Sequence, residues 1–214
     1  MGESFIQRIN LALFFLDLLR DPNDIGKKIC DNLNFFKTIP DEKNNDFFIS
    51  PSPYVSRDIR NNRAANYSLG IQPSRLDFVI YKNDNSTLNV CENFLSSGVE
   101  VIKAATQQRT IGRIGIISYC YQVMEAPEKI ITNTYIKNKA IKNPYEIWLR
   151  FNNRETFECT TVNNVKTVES VFEFDNIKEK GILTTQDINT VFCSDGLSKE
   201  FLISFFKKYA PSEE

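Results

Sequence analysis

Histidine is absent from this chain. That removes imidazole acid–base catalysis, the Ser-His and Cys-His nucleophile pairs, and histidine-ligated zinc. Cysteine is sparse. The five, Cys30, Cys91, Cys120, Cys159 and Cys193, are odd in number and none stands in a C-x-x-C pair. With no secretory signal, this points to a reducing compartment. There is no G-x-G-x-x-G, no G-x-x-x-x-G-K-[ST] and no G-x-S-x-G. A phosphate-cradling loop or a nucleophile elbow is therefore not expected. Long apolar runs are missing too. The stretch 11–19 is short, contains Asp17 and meets Arg20 and Asp21 directly. Met1-Gly2 opens like a myristoylation signal, but Ile6 stands where Ser or Thr is needed. The expectation is a cytoplasmic protein without membrane association. Charge of one sign is not in excess: 26 basic residues face 27 acidic ones, for a net charge of −1. General attraction for polyanions is excluded, and nucleic acid could be held only by a local patch.

What is present speaks mainly of architecture. The chain has 214 residues, 42% of them hydrophobic, and 17 Phe, enough for a sizeable core. The most strand-like stretch is 111–124, IGRIGIISYCYQVM, rich in β-branched and aromatic residues and free of Pro. Arg113, Gly115, Ile117, Tyr119 and Tyr121 alternate with Ile114, Ile116, Ser118 and Cys120. Both faces are apolar in the middle, as in a central strand covered on both sides. Ile114, Ile116, Ile117 and Cys120 are expected to be buried. Arg113, Tyr119 and Tyr121 share one face and could meet a partner there.

The other elements are arranged around that strand. A first strand is expected at 5–16. Asp21-Pro22-Asn23-Asp24 starts a helix, with Asp21 as cap and Pro22 at its first position. Strands follow at 47–49, 66–71 and 75–82, with a loop carrying Arg57, Arg60 and Arg63 before the second of them. Leu88, Cys91, Leu95, Val99, Ile102 and Ala105 form the apolar stripe of a second helix. After a loop at 125–129, strands are expected at 145–151, 154–161, 165–174 and 181–190. Asn152-Asn153 and Asn163-Asn164 read as their turns. A last helix follows a cap at Ser194 or Asp195, with Leu197, Phe201, Phe205 and Tyr209 on its apolar side. This order predicts an α+β fold: a large, mostly antiparallel sheet with about three helices packed on it. The chain reads as one domain, 1–214, built from halves 1–126 and 127–214.

Three constellations could carry function. Asp175, Asp187 and Asp195 lie near strand ends and would serve a metal-dependent hydrolase if they converged. No recognisable ligand spacing supports this, so neither metal nor cofactor is expected. Arg57, Arg60, Arg63 and Arg75, with Tyr54 and Tyr67 nearby, could grip a phosphate backbone and stack a base. Aromatic-rich strands suit an interface as well as a core.

At Arg113-Ile114-Gly115-Ile116 the chain resembles a poorly characterised, sporadically distributed prokaryotic family with an R-[IL]-G-[ILV] central strand. Asn66-Tyr67-Ser68-Leu69-Gly70-Ile71 is similar to the strand preceding it, and Asp187-Ile188-Asn189-Thr190 to a late D-I-N-T-like strand. The resemblance implies an α+β fold and a place beside mobile or defence genes. It supplies no catalytic residues. The leading expectation is a non-enzymatic interaction protein or accessory subunit of a bacterial or phage conflict system, with a protein partner or as a homo-oligomer. A nucleic-acid module and a carboxylate–metal hydrolase are the alternatives.

Overall fold

The computed structural model describes residues 5–33, 48–50, 54–60, 65–82, 90–136, 144–175 and 177–212. Among the described residues nine strands form one antiparallel sheet: β1 Phe5–Phe15, β2 Phe48–Ser50, β3 Tyr54–Arg60, β4 Ala65–Ile71, β5 Arg75–Lys82, β6 Ile111–Val123, β7 Trp148–Phe157, β8 Thr160–Val171 and β9 Gly181–Thr190. Their order is β2-β3-β4-β5-β1-β6-β9-β8-β7. The fold is thus α+β, with the two halves of the chain continuous in a single sheet. β6 lies inside it, paired to β1 on one side and β9 on the other.

Register assigns the faces. Leu11 stands opposite both Phe78 and Ile116, and Ile116 opposite Ile188. Side chains of directly opposed residues share a face. Ile9, Leu11, Leu13, Leu69, Leu76, Phe78, Ile114 and Ile116 therefore line one side, and all are buried. Three helices pack there: α1 Pro22–Asp31, α2 Val90–Gln108 and α4 Lys199–Tyr209. The second face of the sheet carries no helix among the described residues.

Local chemistry sets the helix starts. The Asp21 side chain accepts from the Asp24 N–H (3.1 Å) and Pro22 opens α1, as expected. For α4 the cap is Ser198, whose Oγ accepts from the Phe201 N–H (3.1 Å). It is neither Ser194 nor Asp195, which form the turn before it. Gly196 completes that turn at φ +81°, a conformation suited to glycine.

Several expectations need correction. Ile117 and Cys120 are half-buried, Ile117 because it lies on the second face, which no described helix covers. Arg57 and Arg60 belong to β3, not to a loop. β7 and β8 run straight through both Asn-Asn pairs, and the chain reverses at Glu158-Cys159. Within the stretch expected to be a loop, Pro127 opens a short helix, α3 Pro127–Ile131, followed by a π-turn at Thr132–Ile136. It makes four α-helices among the described residues.

α3 builds a second, smaller core from Ile131, Ile147 and Val168 on the helix-bearing face of the sheet. It is tied down by the Lys180 ammonium, 2.6 Å from the buried Glu128 carboxylate. Burial alone would raise the Glu128 pKa. The hydrogen bond and charge of Lys180, with the Glu128 N–H, outweigh it and hold the carboxyl below its ordinary value. A carboxyl depressed in the folded state stabilises fully above its unfolded pKa, and that contribution is lost as pH falls through the folded value. Urea midpoints of the parent and Glu128→Gln should therefore differ most at neutral pH and converge as pH falls below the ordinary glutamate value of about 4.3. A gap that stays constant down to acid pH would show that the ion pair is not the tie. Among the described residues no helix is long and apolar enough to cross a membrane.

Candidate functional site

The second face of the sheet holds Arg113, Tyr119 and Tyr121 together, as alternation predicts. Their side chains are largely engaged within the chain. Tyr121 is buried beneath Phe174, with ring centroids 5.6 Å apart, and its hydroxyl donates to the Glu179 carbonyl. Burial, and then the charge of Glu179, raise its pKa. Tyr119 stacks on Phe174 (5.9 Å) and carries the Arg8 guanidinium 4.0 Å from its ring centroid. Arg8 is also 3.3 Å from Asp175. Arg113 lies over the Phe14 ring at 5.0 Å. These contacts fasten Phe174, Asp175 and Glu179 to the side-chain rows of the sheet. They leave Tyr121 with no free surface for a partner.

The basic cluster is only partly placed. Arg57 and Arg60 stand opposite Leu69 and Asn66 in the β3–β4 ladder, and Arg63 lies outside the described residues. Arg75 is on β5, separated from β3 by β4. Its Nε is 2.6 Å from the buried carboxylate of Asp77, to which Asn10 also donates (3.3 Å). Arg75 thus neutralises a buried acid rather than presenting a free charge. The three aspartates occupy separate settings: Asp175 beside Arg8, Asp187 accepting from Asn189 (2.8 Å), and Asp195 in the exposed turn before α4. Among the described residues no group of three or more Cys, Asp or Glu could hold a metal ion.

A different site emerges on the helix-bearing face, where the helices stop. α4 covers the sheet as far as Phe157, Val162 and Ile188, and α3 covers it around Val168. Between them lies a cavity of about 410 Å³ lined by Tyr135, Phe151, Asn153, Asn164, Lys166 and Gln186. Two rows form its floor. Phe151, Lys166 and Gln186 are cross-strand neighbours on β7, β8 and β9, and Asn153 is opposite Asn164 in the next row. Gln186 Nε2 donates to Asn164 Oδ1 (3.2 Å), fixing one side chain against the other. Tyr135 comes from the π-turn, and its ring lies 5.8 Å from that of Phe151.

The groove combines amide, charged and aromatic side chains. Amides offer donors and acceptors, Lys166 offers a positive charge, and two rings offer flat apolar surface. It contains no nucleophile paired with a base. Sequence reasoning placed Phe151 in a strand but missed the groove. The signal lay in the i, i+2 pairs Phe151/Asn153 and Asn164/Lys166, which alternation sends to one face once both strands are read as unbroken. Comparisons with protein-family models and with curated proteins find no match for this chain.

Proposed function

We propose that this chain is a non-enzymatic interaction module, an accessory subunit whose partner surface is the β7–β9 half of the sheet. One observation carries the reading. Tyr135, Tyr145, Trp148, Phe151 and Phe172 are all exposed, Tyr145 to 72% and Trp148 to 59%. Tyr67 of β4, Phe78 of β5 and Phe94 of α2 are by contrast buried. Tyr135 and Phe151 line the polar groove, and Trp148 stands on the opposite face of β7. Exposed aromatics on one half of a sheet are what a protein partner would desolvate, and such rings commonly dominate binding energy. The family resemblance directs the search for that partner to neighbouring genes of a conflict system.

The test is co-purification of candidate neighbours with the parent and with a Tyr135→Ala, Lys166→Glu double variant. Both substitutions lie on exposed side chains and should leave the unfolding free energy within about 0.5 kcal/mol of the parent. A partner retained by the parent and lost from the variant is the expected result. Equal retention by both would remove the groove from the reading.

A further inference from the structure

β7 ends the sheet: β8 is its one neighbour among the described strands. The Ser170 N–H donates to the Ile147 carbonyl (3.0 Å), which sets the parity of the ladder. Odd-numbered residues of β7 bond to β8, and Trp148, Arg150, Asn152, Arg154 and Thr156 point their N–H and C=O groups outward. The strand is ten residues long, unbulged, and free of Pro and Lys. Such edges template the addition of another strand unless they are blunted. α4 occupies one end of the strand's helix-side face. The Tyr209 hydroxyl donates to Glu155 (2.5 Å), and the Lys208 ammonium sits 4.9 Å from the Phe157 ring centroid. The window clear of α4 is 148–154, and its middle residue is Phe151.

We infer that this edge joins two copies of the chain, antiparallel about a two-fold axis at Phe151. The inference rests on the interaction reading above and names a second copy as one partner of that surface. A two-fold axis normal to the sheet keeps like faces together, so residues of equal parity meet across it. With Phe151 opposite its counterpart, Trp148 faces Arg154 of the second copy, Arg150 faces Asn152, and Leu149 faces Asn153. Each exposed indole then receives a guanidinium, and the two Phe151 rings meet at the axis. The window thereby complements itself, which is what a second copy requires and an unrelated strand does not. Shifting the axis to Asn152 would set Arg150 against Arg154, a like-charge pair that opposes association. The favoured register adds about eight backbone hydrogen bonds from groups now facing solvent.

Sedimentation equilibrium of the full chain should show a dimer at micromolar concentration. Trp148 is the single tryptophan, so its emission should shift to the blue as the dimer forms. Asn152→Pro removes an outward N–H without touching the β8 ladder. It should abolish the dimer while circular dichroism and the urea midpoint stay with the parent. In a Cys159→Ser background, Phe151→Cys should cross-link two chains on mild oxidation, and Asn153→Cys should not. Non-hydrogen-bonded antiparallel partners have Cα atoms about 4.5 Å apart, within disulfide reach. A parent that remains monomeric, or a dimer indifferent to Asn152→Pro, overturns the inference. A monomer that still holds a protein through Tyr135 and Lys166 overturns the dimer alone. A monomer that holds none overturns the interaction reading as well.

Discussion

Phe206→Ala should destabilise the protein by about 3–5 kcal/mol, the range for truncating a fully buried aromatic. The ring is wholly inaccessible and joins two helices to the sheet. Tyr67 stacks on Phe78 (6.2 Å), Phe78 on Phe94 of α2 (6.2 Å), and Phe94 meets Phe206 of α4 at 5.1 Å. Gly98 makes room for this. A Cβ at that position would fall 2.2 Å from the tip of the Phe206 ring, well inside van der Waals contact distance. Glycine in the middle of α2 costs about 0.5–1 kcal/mol of helix stability relative to Ala, which the close approach of Phe206 offsets. A double-mutant cycle separates the two terms. Gly98→Ala should destabilise the parent through overlap with the ring. In the Phe206→Ala background the same change should be neutral or stabilising, since only the helix preference remains. Urea midpoints of the four proteins give the coupling directly. Should Gly98→Ala have the same effect in both backgrounds, the ring does not rest on the glycine.

That contact shows what periodicity reveals and what it does not. The spacing of Leu197, Phe201, Phe205 and Tyr209 marks the apolar side of α4, yet Leu202 and Phe206 are buried as well. The helix packs against both the sheet and α2 and so buries a wider arc than one stripe. The strands β1, β4, β5, β6 and β9 end within two residues of where their sequence places them. Their burial on the helix side writes a strong apolar alternation that few other structures tolerate.

β7 and β8 were harder to read for the opposite reason. Most of β7 is exposed, so no buried row disciplines its sequence, and its Asn-Asn pair imitates a turn. The real reversal uses Glu158 in a left-handed conformation, φ 51°, which carries no glycine to announce it. α3 is five residues long, too short for periodicity to register. The groove inherits these obscurities. Asn153, Asn164, Lys166 and Gln186 are polar residues on strands, which sequence alone assigns to solvent. They converge only because three strands share a register and the helices stop short of them.

Ile116 is where sequence and structure agree most closely, and its removal is the second large effect. It is 2% exposed, with Leu11 beside it on β1 and Ile188 on β9. Ile116→Ala should cost about 2–5 kcal/mol, from lost transfer energy plus the cavity left between strands that cannot close up. The pairing on both sides is what holds the cavity open, since neither β1 nor β9 can move inward without breaking its other ladder. Ile117→Ala is the control one residue away. Its side chain faces the other side of the sheet and is half-buried, so its truncation should cost visibly less. Ile116→Asp should be worse than either, because it places a carboxylate among apolar side chains. The outcome is read as urea midpoints at neutral pH with the slope checked for change. Equal losses from Ile116→Ala and Ile117→Ala would mean that the two faces of β6 are covered alike. The assignment of the helices to one side of the sheet would then be wrong.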